Sequence, residues 1–519
     1  MQKSHRHWLN RVRLASFALG LATLIVGSAV AQNANRFVGI LTATWGDPRP
    51  GGSGGSVRFT LTLPDGTAHP LQIGGSQQSE ATQYVGKPVT VEGSVTNNAA
   101  LGPSTIVVNQ IAPFAPPNNA PMQPQAATGT RKALFLLLKY KGDAQEPHAI
   151  SFYTALTNPL TPAASTHTPT TINGFFHAVS YGKLKFAAAV GGNKWFTLPR
   201  TKAQYTPCHS FTDPSCNNAN IDLIAQDALT LATNAGINIT AYSVINFVLN
   251  NDLDCCAWGG TTVFNGKVYS ATWEPPWAQH AETYVHELGH SIGLPHSGWR
   301  YYSYDSPWDI MSMHNQLNLM NCGSYTSVND GNKMDTIFCP EPGSGYIMAH
   351  KNWLGWVPLA NQITINAKGT KTVNLINGAT ALGTTIKMIT ICLPSIACTG
   401  ASAHFLTVEV KTNTVQFDRG APNNGVIIHD VLMNRGSIGG GCFFNNQSGW
   451  AIPIDAKPRD FNSTTCSPES FQGSTSGGAG LGNAEFLPGK TYTDSVHGIT
   501  VKVVKAIANG YQVTVTRSK

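Results

Sequence analysis

Residues 286–296 read HELGHSIGLPH, and no other stretch restricts the chain's folding and chemistry as tightly. His286 and His290 are four apart. On a helix that spacing puts both imidazoles on one face, a turn apart, where both can reach a single ion at about 2.0–2.1 Å. Glu287 sits beside them, able to accept a proton without being a ligand. Gly293 can take a positive φ and Pro295 cannot continue a helix, so the chain turns and His296 can close the site. Three imidazoles with a fourth position open to water is the arrangement of a catalytic zinc ion. Upstream, Ala278–Val285 reads as the start of the helix, after Pro275-Pro276.

Tyr304–Met313 follows as YDSPWDIMSM. The pattern H-E-x-x-H-x-x-G-x-x-H with a downstream Met turn resembles the metzincin zinc endopeptidases. Gly174–Phe186 (GFFHAVSYGKLKF), His296-Ser297, Ala349–Trp356 (AHKNWLGW) and Phe405–Val431 resemble the gametolysin-like members in particular. The resemblance spans about residues 131–430. It implies a zinc metalloendopeptidase with His286, His290 and His296 as ligands and Glu287 as general base. It also implies a methionine floor under the ion, assigned to Met311 with Met313 as the alternative. In this family the substrate lies extended along an edge strand, for which Lys267–Trp273 is the candidate. Tyr301, Tyr302 or Tyr304 could stabilise an oxyanion, although packing is the commoner role. Some metzincins are kept latent by a propeptide cysteine on the zinc. Residues 32–207 hold no cysteine, so that device is unavailable here.

The first 31 residues read as an export signal: a basic leader (Lys3 to Arg13), an apolar stretch (Leu14 to Val30) and a small-x-small site at Ala29–Ala31. Without the leader's four cations the formal charge of +7 falls to about +3, too weak for nucleic acid. Ten cysteines, all beyond the leader, suit disulfides in an oxidising compartment. Neighbours suggest Cys322–Cys339, Cys392–Cys398 and Cys442–Cys466. The pairing among Cys208, Cys216, Cys255 and Cys256 stays open. A secreted or periplasmic protein without a stable membrane anchor is expected, its oligomeric state unread.

The expected fold is multidomain α/β plus β. Residues 32–114 form a small β domain, either an inhibitory prosegment or an accessory unit, and 115–130 a Pro-rich linker. Residues 131–357 form a metzincin-type α/β catalytic domain, and 358–519 a C-terminal β-sandwich. Asp305, Asp309, Asp330 and Asp335 could help hold calcium, but lack a calcium-loop spacing. His280, His314, His350, His404 and His429 have no partner at ligand spacing. Asn238 and Asn462 match glycosylation acceptors. Two other functions compete with this one: a non-catalytic binding or adhesion protein on a peptidase scaffold, and a zinc hydrolase acting on a non-peptide bond. The intact ligand pattern and Glu287 argue against the first.

Overall fold

The computed structural model describes residues 36–49, 56–85, 87–96, 104–114, 127–160, 170–207, 219–298, 304–312, 316–400, 403–433, 450–457 and 481–519. The leader, Cys208, Cys216, Cys442, Cys466, Asn462, Tyr301, Tyr302, Met313 and His314 lie outside them.

Five strands make up the N-terminal unit: β1 (Arg36–Pro48), β2 (Ser56–Thr62), β3 (Ala68–Gln72), β4 (Pro88–Thr96) and β5 (Thr105–Pro113). Their alternating apolar residues (Leu41, Phe59, Leu61, Val89, Val91 and Ile106 among them) gather into one core. The order β2-β3-β5-β4-β1 closes through an additional β2–β1 pairing, which makes a small barrel. A short helix, α1 (Gly75–Gln83), bridges β3 and β4, the plan of an OB-type barrel.

The central unit is a sheet of β6 (Gly129–Lys139), β7 (Leu184–Thr197), β8 (Val244–Leu249), β9 (Cys256–Phe264) and β10 (Lys267–Glu274). In β6 the apolar run Ala133–Leu138 is buried on both faces, as parallel central strands require. Its alternate residues serve two cores. Ala133, Phe135 and Leu137 pack against α2 (Ile150–Thr157), α3 (Ile172–Val179) and α5 (Ala281–Ser291). Leu134, Leu136 and Leu138 pack against α4 (Ile221–Asn234), whose N-terminus is capped by the Asn220 side chain. Helices therefore cover both faces of the sheet.

The strand order β1-β9-β10-β8-β6-β7 corrects one expectation. Lys267–Trp273 lies in β10, paired on both sides, and is not an edge. The central unit ends in β7 on one side and β9 on the other, and β1 pairs with β9, joining barrel and central sheet into one ten-stranded sheet.

Beyond residue 358 two sheets share a single core. One contains Gln362–Ile365, Met388–Cys392, His404–Lys411, Gly425–Leu432 and Ala451–Pro453. The other contains Gly369–Ile376, Thr491–Asp494, Ile499–Ile507 and Gly510–Arg517. Val408, Ile428, Val501 and Val513 are among the side chains buried between them. Disulfides join Cys322 to Cys339 and Cys392 to Cys398, and Cys255 is bonded to its neighbour Cys256. Among the described residues no helix is long and apolar enough to cross a membrane.

Candidate metal centre

Pro276–Ala278 forms one 3-10 turn, so α5 begins at Ala281, a little later than the sequence suggested. His280 caps it, its Nδ1 accepting from the Thr283 amide at 3.4 Å. Every residue of α5 is buried. The helix ends where Gly293 adopts φ +101, a conformation that favours glycine. The Gly293 amide donates to the His290 carbonyl at 2.9 Å and the Leu294 amide to Gly289 at 3.0 Å, closing the last turn. The chain then doubles back and delivers His296.

The three imidazoles converge. Nε2 of His290 lies 3.2 Å from that of His286 and 3.1 Å from that of His296. Nδ1 of His286 donates to the Ile310 carbonyl at 2.6 Å, and Nδ1 of His290 to the Leu294 carbonyl at 2.8 Å. Those bonds fix the ring orientations and leave Nε2 of both rings facing the common centre. Burial, then His296, pushes the His290 imidazole down to about 3, so it stands neutral, as a ligand must. Met311 is fully buried beneath the same turn: a Cβ on Gly289 would sit 2.5 Å from its sulfur.

Glu287 is also fully buried, and neither carboxylate oxygen has a hydrogen-bond partner among the described residues. Burial above all, with Asp47, Glu274 and Glu282 nearby, raises its carboxyl well above the usual range. It faces β9 at Gly259, where a Cβ would come within 2.3 Å of the Glu287 carbonyl oxygen. Glycine there lets the helix approach the strand.

One member of the site escaped the sequence reading. The fourth corner, expected to be open, is filled by Asp47 at the end of β1. Its carboxylate lies 2.8 Å from Nε2 of His296, 3.1 Å from that of His290 and 3.3 Å from that of His286. The Tyr304 hydroxyl donates to its Oδ1, and the Trp45 ring stacks on His290 at 4.8 Å. Burial would raise the Asp47 carboxyl, but His296 and His286 hold it well below its ordinary value. The motif W-G-D-P-R resembles any turn-bordering strand end, and nothing in it marked Asp47 out.

These donor spacings suit a metal. Donors set tetrahedrally at 2.0–2.1 Å around one ion stand about 3.3 Å from each other. Asp47, His286, His290 and His296 form a buried group whose ligand atoms all lie within 4.8 Å of one another. A second group, Asp254 with Cys255 and Cys256, has its sulfurs tied up in the disulfide.

A polar network braces the site from below. Asp309 accepts from Ser297 Oγ at 2.6 Å and the Ile347 amide at 3.2 Å, and pairs with His350 Nδ1 at 2.9 Å. Burial opposes its ionisation, but His350, the Ser297 hydroxyl and Lys411 bring it down to about 2. Asp335 pairs with Arg49 and Asp330 with Lys333, so Asp309, Asp330 and Asp335 each have a separate partner. His404 pairs with Asp430, and His429 lies 3.5 Å from Glu409.

No curated protein gives a significant match to the chain. Residues 159–432, just over half of it, match the family model described as gametolysin peptidase M11, a span that includes the three histidines, Glu287, Met311 and the Asp309 network. With a buried three-histidine group able to hold a metal ion at its centre, the chain belongs to the gametolysin M11 family of metallopeptidases.

Proposed function

We propose that the protein is a secreted zinc endopeptidase in which His286, His290 and His296 hold the ion and Glu287 is the general base. The observation that carries this reading is the convergence of three Nε2 atoms beside a buried carboxylate without a hydrogen-bond partner among the described residues. Three imidazoles suit zinc, and zinc bound there supplies the Lewis acidity that polarises a peptide carbonyl and acidifies water.

The protein's own part follows from position. Glu287, desolvated and with a raised carboxyl, takes the proton of the attacking water and passes it to the departing amine. Met311 packs against Gly289 and keeps the helix turn carrying both histidines from tilting. The substrate chain adds as a strand along β9, the edge of the central strands that lies against Glu287 at Gly259 and that β1 pairs with in the full-length chain. The apolar leader and the cysteine bonds favour export, with proteins or peptides as substrates.

The test uses the mature secreted form on a protein mixture. A strong chelator should abolish hydrolysis and zinc should restore it. Glu287→Ala should still bind one zinc per chain yet cleave nothing. Hydrolysis that survives chelation, or a fully active Glu287→Ala, would discard the reading.

A further inference from the structure

The N-terminal barrel reaches the site along one strand. Trp45, Gly46, Asp47 and Pro48 of β1 pair antiparallel with Gly259, Trp258, Ala257 and Cys256 of β9. The close fit is built in by glycines on both sides. A Cβ on Gly46 would meet the Trp258 ring at 2.7 Å, and one on Gly260 would meet the Ala43 carbonyl at 2.4 Å. Arg58 of the barrel lies over the same Trp258 ring at 4.1 Å and pairs with Asp254 at 3.7 Å. The end of this strand carries Asp47 to the fourth corner of the histidine group, 1% exposed, with Tyr304 holding one of its oxygens.

We infer that Asp47 is the fourth ligand of the metal in the full-length chain, and that residues 36–113 are a removable inhibitory unit which keeps the peptidase latent. The inference rests on the three-histidine metal reading above. Two blocks act together. The Asp47 carboxylate takes the position a hydrolytic water needs, and β1 takes the strand edge a substrate needs. The segment before residue 208 has no cysteine, and the donor that β1 brings to the histidines is the Asp47 carboxylate.

Detachment is feasible because the cover is incomplete. A cleft of about 380 Å³ remains between the barrel (Ile40, Lys87) and the central unit (Val268, Pro295), opening beside His290. The stretch 115–126, APPNNAPMQPQA, joins the barrel to the central unit. Hydrolysis of one peptide bond within it would free the barrel to leave, and with it both blocks.

The experiment loads the full-length chain with Co2+ and titrates it with acetohydroxamate, a small chelating anion, following the visible absorption of the metal. Wild type, Asp47→Ala and Asp47→Asn are compared. A tethered competitor has an effective concentration in the millimolar range, so its removal should tighten hydroxamate binding by about tenfold or more. Both variants should also change the cobalt spectrum before hydroxamate is added. Asp47→Asn keeps the shape of the strand end and guards against misfolding of the alanine variant. Equal hydroxamate affinity and equal spectra, with one metal per chain throughout, would overturn the inference and leave the metal site standing. Failure of wild type and variants alike to bind metal would overturn the site reading, and this inference with it. N-terminal sequencing of the active protein from the medium supplies the second readout. A start beyond Pro113 supports the inference, and an active form that retains residues 36–113 sinks it.

Discussion

Two units touch the metal centre from opposite sides, and they do so differently. The barrel comes in along one strand and reaches the histidines with the Asp47 carboxylate and the Trp45 ring, its outer contacts being partly exposed cations such as Arg49 on Asp335. The C-terminal unit holds on through buried groups. The Trp450 amide donates to the His296 carbonyl at 3.1 Å, and the Gly298 amide to Ala451 at 2.9 Å. The buried Lys411 donates to the Gly345 carbonyl and Asp418 accepts from the Gly345 amide, each at 3.4 Å, and His350, which pairs with Asp309, stacks on Trp450. An edge contact with wet margins suits a part that must leave. A buried ionic and aromatic contact suits a part that must stay.

The sharpest way to break this contrast is at Asp309. Asp309→Ala leaves Ser297 and His350 without their shared partner in a dry site, and should lower unfolding free energy in urea by about 3–5 kcal/mol. A loss below about 1 kcal/mol would make that interface as dispensable as the barrel's.

Next in size is Gly259→Ala. Its methyl would press on the Glu287 backbone and should cost about 1–3 kcal/mol in the same measurement, together with a shift of α5 visible as reduced metal affinity. An unchanged stability would mean that β9 and the helix have slack between them.

Acid supplies the third test. The Asp309 carboxyl is depressed from 3.8 to about 2, so its contribution is complete above pH 4 and lost as pH falls toward 2. About 2 kcal/mol of stability should therefore disappear over that window, and Asp309→Asn should remove this part of the pH dependence.

The smallest effect belongs to Arg49→Ala. An exposed ion pair contributes under about 1 kcal/mol, so stability should barely move. Limited proteolysis should nonetheless separate barrel from enzyme somewhat faster, and added salt should mimic the substitution in wild type.

The sequence was informative where geometry is local. His286, His290, Gly293 and His296 lie within eleven residues, and helix period plus a glycine turn suffice to bring the rings together. Val244–Leu249 was legible as a buried strand because an uninterrupted apolar run has nowhere else to go. Asp47 was not legible, since it lies 243 positions from His290 and reaches it only through the β1–β9 pairing. Periodicity shows that a segment is a strand but not which neighbours it will have. KVYSATW, just upstream of the helix, is the candidate edge that the sequence offers, yet it pairs on both sides, whereas CAWGGTTVF, with its two glycines, meets β1. Those glycines are the places where Glu287 and β1 come closest, and the logic of a close approach is visible only from both sides at once.

The grip of Trp450 and Ala451 on the histidine loop sets a lower limit on any working fragment. The recognisable family region ends at residue 432, and a protein trimmed there would retain His286, Glu287, His290 and His296 while stripping the loop of its two amide-to-carbonyl clasps. Such a truncation should bind its ion loosely and lose it to dilution, so the smallest durable enzyme extends past Pro453.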